Sequence, residues 1–246
     1  MINHNTMQFG LIGKSLVHSF SPSYFTKKFT NESIDAVYKA YEIDSIDEFP
    51  QLLKKVDFQG LNVTIPFKEA VIPFLDEVTV EANEIGAVNT IKFTENGLKG
   101  YNTDAYGFKM ALQPLLQKQH KKALVLGTGG ASKAVVYVLE ALDIPFKYVS
   151  RNPEEGQLSY NQLDKTTMAA HTLIINCTPL GTFPDVGQKP DIPYEFVGPE
   201  HLLFDLTYNP EKTAFLQEGE LRGAAISNGY KMLELQAEKA WEIWNS

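Results

Sequence analysis

One stretch of the chain limits its fold more than any other, because it joins a strand, a glycine-rich loop and a helix without interruption. The strand is predicted at Ala123–Leu126, the loop at Gly127–Gly130 and the helix at Ala131–Leu142. A short apolar strand that enters a helix through a tight glycine turn is typical of α/β proteins. We therefore expect an α/β fold with a mainly parallel sheet.

The rest of the 246-residue chain repeats this alternation of short apolar runs and helix-length segments, and its length suits two modest domains. Strands are predicted at Gln8–Ile12, Val37–Glu42, Gly60–Ile65, Val88–Phe93, Phe146–Val149, Leu173–Asn176, Leu202–Asp205 and Ala224–Ile226. Helices are predicted near Pro22–Thr30, Ile46–Val56, Phe67–Phe74 and Val80–Ile85, and at Tyr230–Trp244 with Ser227 or Asn228 as the cap. Asn96-Gly97 predicts a hairpin with a type I′ turn.

Composition narrows the class of partner. The net charge of −8 and the scattered basic residues argue against nucleic acid, so a small molecule is expected. No apolar stretch approaches the roughly 18 residues that span a bilayer, and the start MINHNTMQFG lacks the features of a signal peptide. The single cysteine, Cys177, has no intramolecular disulfide partner, which suggests a reducing compartment. We expect a cytoplasmic protein without a membrane or metal site.

The glycine loop predicts a nucleotide site. Glycines at this position let the backbone approach a pyrophosphate, which the N-terminus of the next helix stabilises. The usual motif has a third glycine where this chain has Ser132, and a glycine-rich turn without a ligand is the alternative. The loop residues are Gly127, Thr128, Gly129, Gly130 and Ala131.

The end of the next strand indicates which nucleotide is bound. An NAD site carries an acid there, about 20 residues past the glycines, whereas this chain has Ser150 and Arg151. The guanidinium fork of Arg151 suits the 2′-phosphate of NADP. An exposed arginine in a turn is the alternative. Glu154 and Glu155 follow, so no second basic residue comes shortly after.

The first hundred residues carry hydrogen-bonding side chains at the ends of predicted strands. Ser19 and Ser21 precede a helix and could bind a carboxylate, although Ser21 before Pro22 would also make a good helix cap. Asn62 and Thr64 lie on one face of a strand, because side chains alternate along it.

Lys68 follows that strand, and two more polar candidates, Asn89 and Asp104, come later in the chain. Asn89 lies near the start of a strand, and Asp104 opens a predicted helix. For Asp104 a helix N-cap is therefore the alternative to a functional role.

Taken in order, the motifs HSFSP, NVTIPFK, GAVNT, NTDAYGF, GTGGAS, NCTPLG, DLTYNP and NGYKMLELQA closely resemble the shikimate dehydrogenase family. The resemblance runs from about residue 8 to the C-terminus. It implies a catalytic α/β lobe formed by residues 1–103 with a returning helix at 228–246, and a Rossmann-type NADP lobe at 104–227.

The resemblance also implies roles for individual residues. Lys68 matches the catalytic lysine, with Asp104 as its partner. Ser19 and Ser21 match the carboxylate site, Asn62, Thr64, Asn89, Asp104 and Gln236 the ring-hydroxyl contacts, and Tyr208 a tyrosine that helps to close the substrate site. Gly127 to Ala131 match the pyrophosphate loop, Ser150 and Arg151 the 2′-phosphate site, and Gly229 and Met232 the nicotinamide edge.

The implied reaction is the reversible, NADPH-dependent reduction of 3-dehydroshikimate to shikimate in chorismate and aromatic amino acid biosynthesis. Lys68 is then the acid/base and Asp104 its orienting partner, or the two share the role. A quinate/shikimate dehydrogenase of broader substrate or NAD use, and a non-catalytic NADP-binding regulatory module, are the alternatives. A methylene-tetrahydrofolate dehydrogenase fits the two-lobe plan but not the motifs HSFSP and NTD. Either a monomer or a homodimer is expected.

Overall fold

The computed structural model describes residues 6–17 and 19–246, which divide into two compact units. Unit 1 contains the residues up to Tyr106 together with Gln236–Ser246, and unit 2 is Gly107–Leu235. The predicted functional division at residues 103–104 and 227–228 stays a prediction.

Unit 1 is built on a mixed sheet with the strand order β2-β1-β3-β5-β6-β4 over the described residues. β2, β1 and β3 are parallel, whereas β5 is antiparallel to both β3 and β6. The strands are β1 (Met7–Gly13), β2 (Ala36–Glu42), β3 (Gly60–Val63), β4 (Glu77–Val78), β5 (Thr90–Thr94) and β6 (Gly97–Tyr101). The helices are α1 (Phe20–Asn31), α2 (Phe49–Lys55), α3 (Phe67–Ala70) and α4 (Val80–Ile85), with 3₁₀ turns at Ile46–Glu48 and Ile72–Phe74.

Both faces of this sheet are covered by apolar side chains. On one face Ile12 packs in a core with residues of β3 and α4, and on the other Phe9 packs against Phe25 and the last helix. That helix brings Trp244 onto the sheet, where its indole lies 4.9 Å from the Phe9 ring and Nε1 donates to the Ile91 carbonyl at 3.0 Å. A Cβ on Gly60 would lie 2.4 Å from the Trp244 ring, so only glycine fits there.

The hairpin is confirmed, but its turn differs from the prediction. The register pairs Thr94 with Gly97, so Glu95 and Asn96 form the loop. Gly97 has φ of 111°, whereas Asn96 does not adopt a positive φ. A type I′ turn with Asn96 and Gly97 as its central residues is therefore wrong, since both would need positive φ.

Unit 2 is a parallel sheet with the order β12-β11-β10-β7-β8-β9 in the described residues. Numbered from its own first strand, this is the doubly wound order 6-5-4-1-2-3, which reverses direction between β7 and β10. The strands are β7 (Ala123–Leu126), β8 (Phe146–Ser150), β9 (Leu158–Ser159), β10 (Leu173–Asn176), β11 (Leu202–Asp205) and β12 (Ala225–Ser227). The helices of this part of the chain are α5 (Thr103–Leu112), α6 (Gly130–Ala141), α7 (Lys165–Ala170), α8 (Ala214–Leu221) and α9 (Tyr230–Trp244), with 3₁₀ turns at Gln113–Leu115, Tyr160–Gln162 and Tyr194–Phe196.

The α/β class predicted from the sequence is confirmed. β7 and β10 are buried at every position, as expected for central strands of a parallel sheet. The unit boundaries fall within α5 and α9. None of the helices in the described ranges has the length and apolar character needed to cross a bilayer.

Candidate active site

One edge of the unit 1 sheet brings together the polar residues that the sequence singled out. β1 and β3 are parallel, and the register pairs Asn62 of β3 with Thr90 of β5 and Thr90 with Tyr101 of β6. The end of β3, the start of β5 and the end of β6 therefore lie side by side. Thr64 and Lys68 follow the first of these points, Asn89 precedes the second and Asp104 follows the third.

Lys68 and Asp104 form an ion pair at this edge. Lys68 Nζ lies 2.6 Å from Asp104 Oδ2, and the two side chains are 22% and 14% exposed. The backbone of Lys68 is also tied to the edge, because its carbonyl accepts a hydrogen bond from Val88 N at 2.7 Å. Lys68 is thus fixed by its backbone hydrogen bond as well as by the ion pair, and both side chains keep limited access to solvent.

Asn102, rather than Asp104, caps helix α5. Its Oδ1 accepts a hydrogen bond from Ala105 N at 3.1 Å, and its Nδ2 donates to the Ala87 carbonyl at 2.9 Å. Asp104 is the second residue of the helix. The N-cap interpretation of Asp104 is therefore wrong, and its carboxylate binds Lys68 instead.

Asn62, Asn89 and Gln236 belong to one buried network. Asn62 Nδ2 donates to Thr90 Oγ1 at 3.1 Å, and Thr90 Oγ1 donates to Asn89 Oδ1 at 3.1 Å. Thr103 N donates to the same Asn89 oxygen at 2.7 Å, and Thr103 Oγ1 lies 3.3 Å from Gln236 Oε1. The network therefore joins β3 and β5 with the start of α5 and with Gln236 in the middle of α9.

The serine pair lies at the start of α1. The helix begins at Phe20 with Ser19 as its N-cap residue, and the Ser19 side chain makes no capping hydrogen bond within the described residues. Ser21 lies inside the first turn, so the interpretation of Ser21 as the cap is wrong. It is 8% exposed and hydrogen-bonds to Tyr38. His18 of the motif HSFSP lies outside the described residues.

In unit 2 the glycine loop follows β7 at the point where the strand order reverses, which is where doubly wound sheets bind nucleotides. Gly127 has φ of 94°, and a Cβ there would lie 2.9 Å from Thr178 Cγ2. A Cβ on Gly129 or Gly130 would meet no atom within 4 Å. Packing within the protein explains the first glycine, and the other two leave an open cradle that suits a pyrophosphate.

Ser132 takes the place of the usual third glycine without disturbing the turn. It is buried, and its Oγ donates to the Gly129 carbonyl at 2.7 Å. The Ser132 hydroxyl thus stabilises the first turn of α6 through this buried hydrogen bond.

Ser150 and Arg151 lie beside this loop at the end of β8. Gly127 N donates to the Val149 carbonyl at 2.9 Å, which places the glycine turn one residue from Ser150. Ser150 Oγ accepts from Asn152 N at 3.2 Å, and the side chain of Arg151 is exposed. A hydroxyl and a guanidinium at this position fit the 2′-phosphate of NADP.

Tyr208, Gly229 and Met232 lie near the carboxyl edge of β11 and β12. Gly229 N donates to the Thr207 carbonyl at 3.0 Å, and a Cβ on Gly229 would lie 2.1 Å from the Leu206 carbonyl oxygen. Only glycine allows these two backbone segments to pass so closely. Met232 is buried, and burial raises the pKa of Tyr208 above its ordinary value.

The sequence did not single out Asp205, which organises the same edge. Its carboxylate accepts from Asn176 Nδ2 at 3.0 Å, Thr207 N at 3.0 Å and Thr213 Oγ1 at 2.6 Å. Burial raises its pKa to about 6. The signal available in the sequence was an acid at the end of an apolar strand with threonines shortly after it.

Tyr38 was not among the predicted site residues, and Thr90, Asn102 and Thr103 lay in the motifs GAVNT and NTDAYGF without being assigned a role. Asn102 could have been found, since asparagine is among the strongest N-cap residues. Among the residues described, no group of histidine, cysteine, aspartate and glutamate side chains could hold a metal ion.

Known proteins match this chain over almost its whole length. The profile of the family described as "Shikimate dehydrogenase substrate binding domain" matches residues 11–91. Shikimate dehydrogenase (NADP(+)) of Clostridium botulinum is 37% identical over 96% of this chain and 95% of its own length.

Solved structures agree with the sequence match. Shikimate 5-dehydrogenase from Thermus thermophilus, in complex with NADP(H) and shikimate, has a TM-score of 0.85 and 32% identity, covering 97% of this chain and 93% of that one. The enzyme from Listeria monocytogenes, in complex with shikimate and NAD, has a TM-score of 0.85 and 27% identity, covering 99% and 93%. With the ion pair, the glycine cradle and this extent of identity, the chain belongs to the shikimate dehydrogenase family.

Proposed function

We propose that the chain is an NADP-dependent shikimate dehydrogenase, which reversibly reduces 3-dehydroshikimate to shikimate in chorismate and aromatic amino acid biosynthesis. The observation that carries the proposal is the 2.6 Å contact between Lys68 Nζ and Asp104 Oδ2. It lies at the sheet edge that also carries Asn62, Thr64 and Asn89, so the groups for proton transfer and for hydroxyl binding are on one scaffold.

Lys68 is assigned the proton transfer. In the reductive direction its ammonium donates a proton to the carbonyl oxygen, and in the oxidative direction the neutral amine accepts that proton from the alcohol. Asp104 holds the Lys68 ammonium in place through Oδ2, and its Oδ1 can accept a hydrogen bond from a neighbouring ring hydroxyl of the substrate. Bound NADPH or NADP supplies or accepts the hydride.

The remaining residues are assigned to binding. Ser19 and Ser21 receive the substrate carboxylate at the start of α1, and Asn62, Thr64, Asn89 and Gln236 receive the ring hydroxyls. Tyr208 is also assigned to substrate binding. Gly127 to Ala131 would hold the pyrophosphate, Ser150 and Arg151 the 2′-phosphate, and Gly229 and Met232 the nicotinamide edge.

A direct assay tests the proposal. Purified protein is mixed with shikimate and NADP, and the absorbance of reduced nicotinamide is followed. We expect a rise with NADP and a smaller catalytic efficiency with NAD, because Arg151 can pair with the 2′-phosphate. The absence of any absorbance change with either cofactor would reject the proposed reaction.

A quinate/shikimate dehydrogenase is the second candidate, and the observation that favours it is that Glu154 and Glu155, instead of a second basic residue, come shortly after Arg151. Comparing kcat/KM for shikimate and quinate with NADP and with NAD separates the two. A regulatory module would bind NADP without turnover, and the paired Lys68 and Asp104 argue against it.

Location and assembly complete the proposal. A cytoplasmic enzyme agrees with the single cysteine. Light scattering after size exclusion decides between a monomer and a homodimer.

A further inference from the structure

Tyr38 is a core residue with a polar end. It lies on β2, is 7% exposed, and its ring stacks on Phe25 with a centroid distance of 4.7 Å and an interplanar angle of 14°. A buried tyrosine hydroxyl needs a hydrogen-bond partner. Here it donates to Asn62 Oδ1 at 2.8 Å and also hydrogen-bonds to Ser21. Burial raises the pKa of Tyr38 well above its ordinary value, so the hydroxyl keeps its proton.

The hydrogen bonds of Asn62 use up its donors. One N–H of Nδ2 donates to the Asn89 carbonyl at 3.1 Å and the other to Thr90 Oγ1 at 3.1 Å. Oδ1 receives the Tyr38 hydroxyl and retains a second lone pair. As long as Tyr38 donates to it, Asn62 can offer a ligand an acceptor and no donor.

Asn89 has the opposite balance. Its Oδ1 receives Thr103 N at 2.7 Å and Thr90 Oγ1 at 3.1 Å, which fills both lone pairs. One N–H of its Nδ2 donates to Thr103 Oγ1 at 3.1 Å, and the second N–H has no protein acceptor among the described residues. Asn89 can therefore offer a donor and no acceptor.

We propose that Tyr38 is a positioning residue of the substrate site, whose hydroxyl fixes the amide of Asn62 so that Asn62 accepts a hydrogen bond from a ring hydroxyl of the substrate. The inference rests on the proposed function and goes beyond it, because it assigns a direction to the contact. The hydroxyl at Asn62 must donate, and the one at Asn89 must accept. Tyr38 also links Asn62 to Ser21, so one side chain connects the hydroxyl and carboxylate parts of the site.

The variant Tyr38→Phe tests this role, since it removes the hydroxyl and keeps the ring that packs on Phe25. Tyr41→Phe is the matched control, because Tyr41 lies on the same strand but packs against Phe58 on the other face of the sheet. We expect Tyr38→Phe to raise KM for shikimate about tenfold, with kcat changed less than about threefold, because a non-reacting hydroxyl contributes to binding in both ground and transition states. KM for NADP and all constants of Tyr41→Phe should stay at wild-type values.

Substrate analogues separate positioning from a general effect on the core. Wild type and Tyr38→Phe are compared on shikimate, 4-deoxyshikimate and 5-deoxyshikimate. For one of the two analogues, the wild type should lose about tenfold in kcat/KM, while the variant should lose less than about threefold relative to its own value on shikimate. Equal losses in wild type and variant for both analogues would show that Tyr38 only packs, and would overturn the proposal.

A second measurement does not depend on shikimate turnover. In the wild type both Nδ2 protons of Asn62 are buried and hydrogen-bonded, so NMR should show slow hydrogen exchange for this side chain. Exchange should become faster in Tyr38→Phe and stay slow in Tyr41→Phe. Equal exchange in all three proteins contradicts the proposal. If the wild type fails to oxidise shikimate, the proposed reaction fails, and the NMR result still decides the role of Tyr38.

Discussion

Asp104 of unit 1 and Asp205 of unit 2 are both acids at the edge of a sheet, but they are stabilised by different neighbours. Asp104 is 14% exposed as a side chain and lies 2.6 Å from the Lys68 ammonium. Asp205 is fully buried and is surrounded by amide, backbone and hydroxyl donors from Asn176, Thr207 and Thr213.

The difference separates chemistry from architecture. Because Lys68 and Asp104 are both partly exposed, their ion pair leaves a proton-transfer group within reach of a ligand. Neutral donors around a closed carboxylate connect the ends of β10 and β11 with the start of α8 and leave no atom for a substrate. We therefore propose that the charged pair of unit 1 serves the reaction, whereas the hydrogen bonds of Asp205 hold the loops of unit 2 in place.

Removing one partner of the unit 1 pair should have the largest effect. In Lys68→Ala and in Asp104→Asn we expect kcat to fall by about 10²–10⁴, because general acid–base catalysis contributes about that much. Stopped-flow and steady-state assays with shikimate and NADP measure the loss. Lys99→Ala is the control, since Lys99 pairs with Glu77 on the surface of the same unit and such pairs contribute little. Near wild-type turnover in either site variant would reject the acid/base assignment.

Neutralising the unit 2 acid should instead change how stability depends on pH. The folded-state pKa of Asp205 is about 6 and its reference value is 3.8, so the folded protein binds this proton more tightly than the unfolded chain. The resulting stabilisation is complete below about pH 4 and is lost as pH rises through about 6; it amounts to about 3 kcal/mol. Urea unfolding of wild type and Asp205→Asn from pH 4 to 7 should show this difference between the two proteins.

The pKa of Asp164 is shifted in the opposite direction to that of Asp205, so Asp164 should affect the pH dependence of stability in the opposite way. It caps α7, and its hydrogen bond from Thr167 N lowers its pKa. Its stabilisation is therefore present above its ordinary pKa and is lost as the pH falls through the lowered value. If Asp205→Asn unfolds with the same pH dependence as the wild type, Asp205 does not carry the raised pKa.

In unit 2 we predict that the positive charge of Arg151 binds the 2′-phosphate of NADP. Arg151→Ala should raise KM for NADP by about 10- to 100-fold, since hydrogen bonds to a charged group contribute about 1.5–3 kcal/mol. KM for NAD should change less than about twofold, and Arg151→Lys should lie between the wild type and Arg151→Ala. Parallel rises for both cofactors would mean that Arg151 does not recognise the 2′-phosphate.

The smallest effect is expected at Cys177, which follows Asn176 at the end of β10. Burial, with a smaller contribution from Asp205, raises the pKa of this thiol far above its ordinary value. Iodoacetamide at pH 7.5 should therefore label the folded protein at least about tenfold more slowly than the unfolded protein. Mass spectrometry over time gives both rates, and equal rates would show that the thiol is accessible and ionises normally.

The sequence was sufficient for the elements that repeat a strong pattern. The central strands β7 and β10 and helix α9 were predicted at their observed bounds, because apolar runs and amphipathic periodicity are local properties. Helices α7 and α8 were not predicted, although α4, which also has six residues, was predicted at its observed bounds.

The hydrogen-bond partners could not be predicted in the same way. That Tyr38 contacts Asn62 depends on how β2 and β3 flank β1, and that Asn62 contacts Thr90 depends on the register of β3 and β5. Neither register is visible in one sequence. The polar residues were therefore predicted as candidates, whereas the direction in which each donates or accepts required the structure.

The position of Trp244 has a consequence for the order in which the chain acquires its structure during synthesis. The ribosome makes Phe9 and Gly60 early, but their packing partner is the third residue from the end. All strands of unit 2 are synthesised before that residue emerges. We therefore expect unit 2 to complete its core first during synthesis, because the core of unit 1 cannot close until Trp244 has been made.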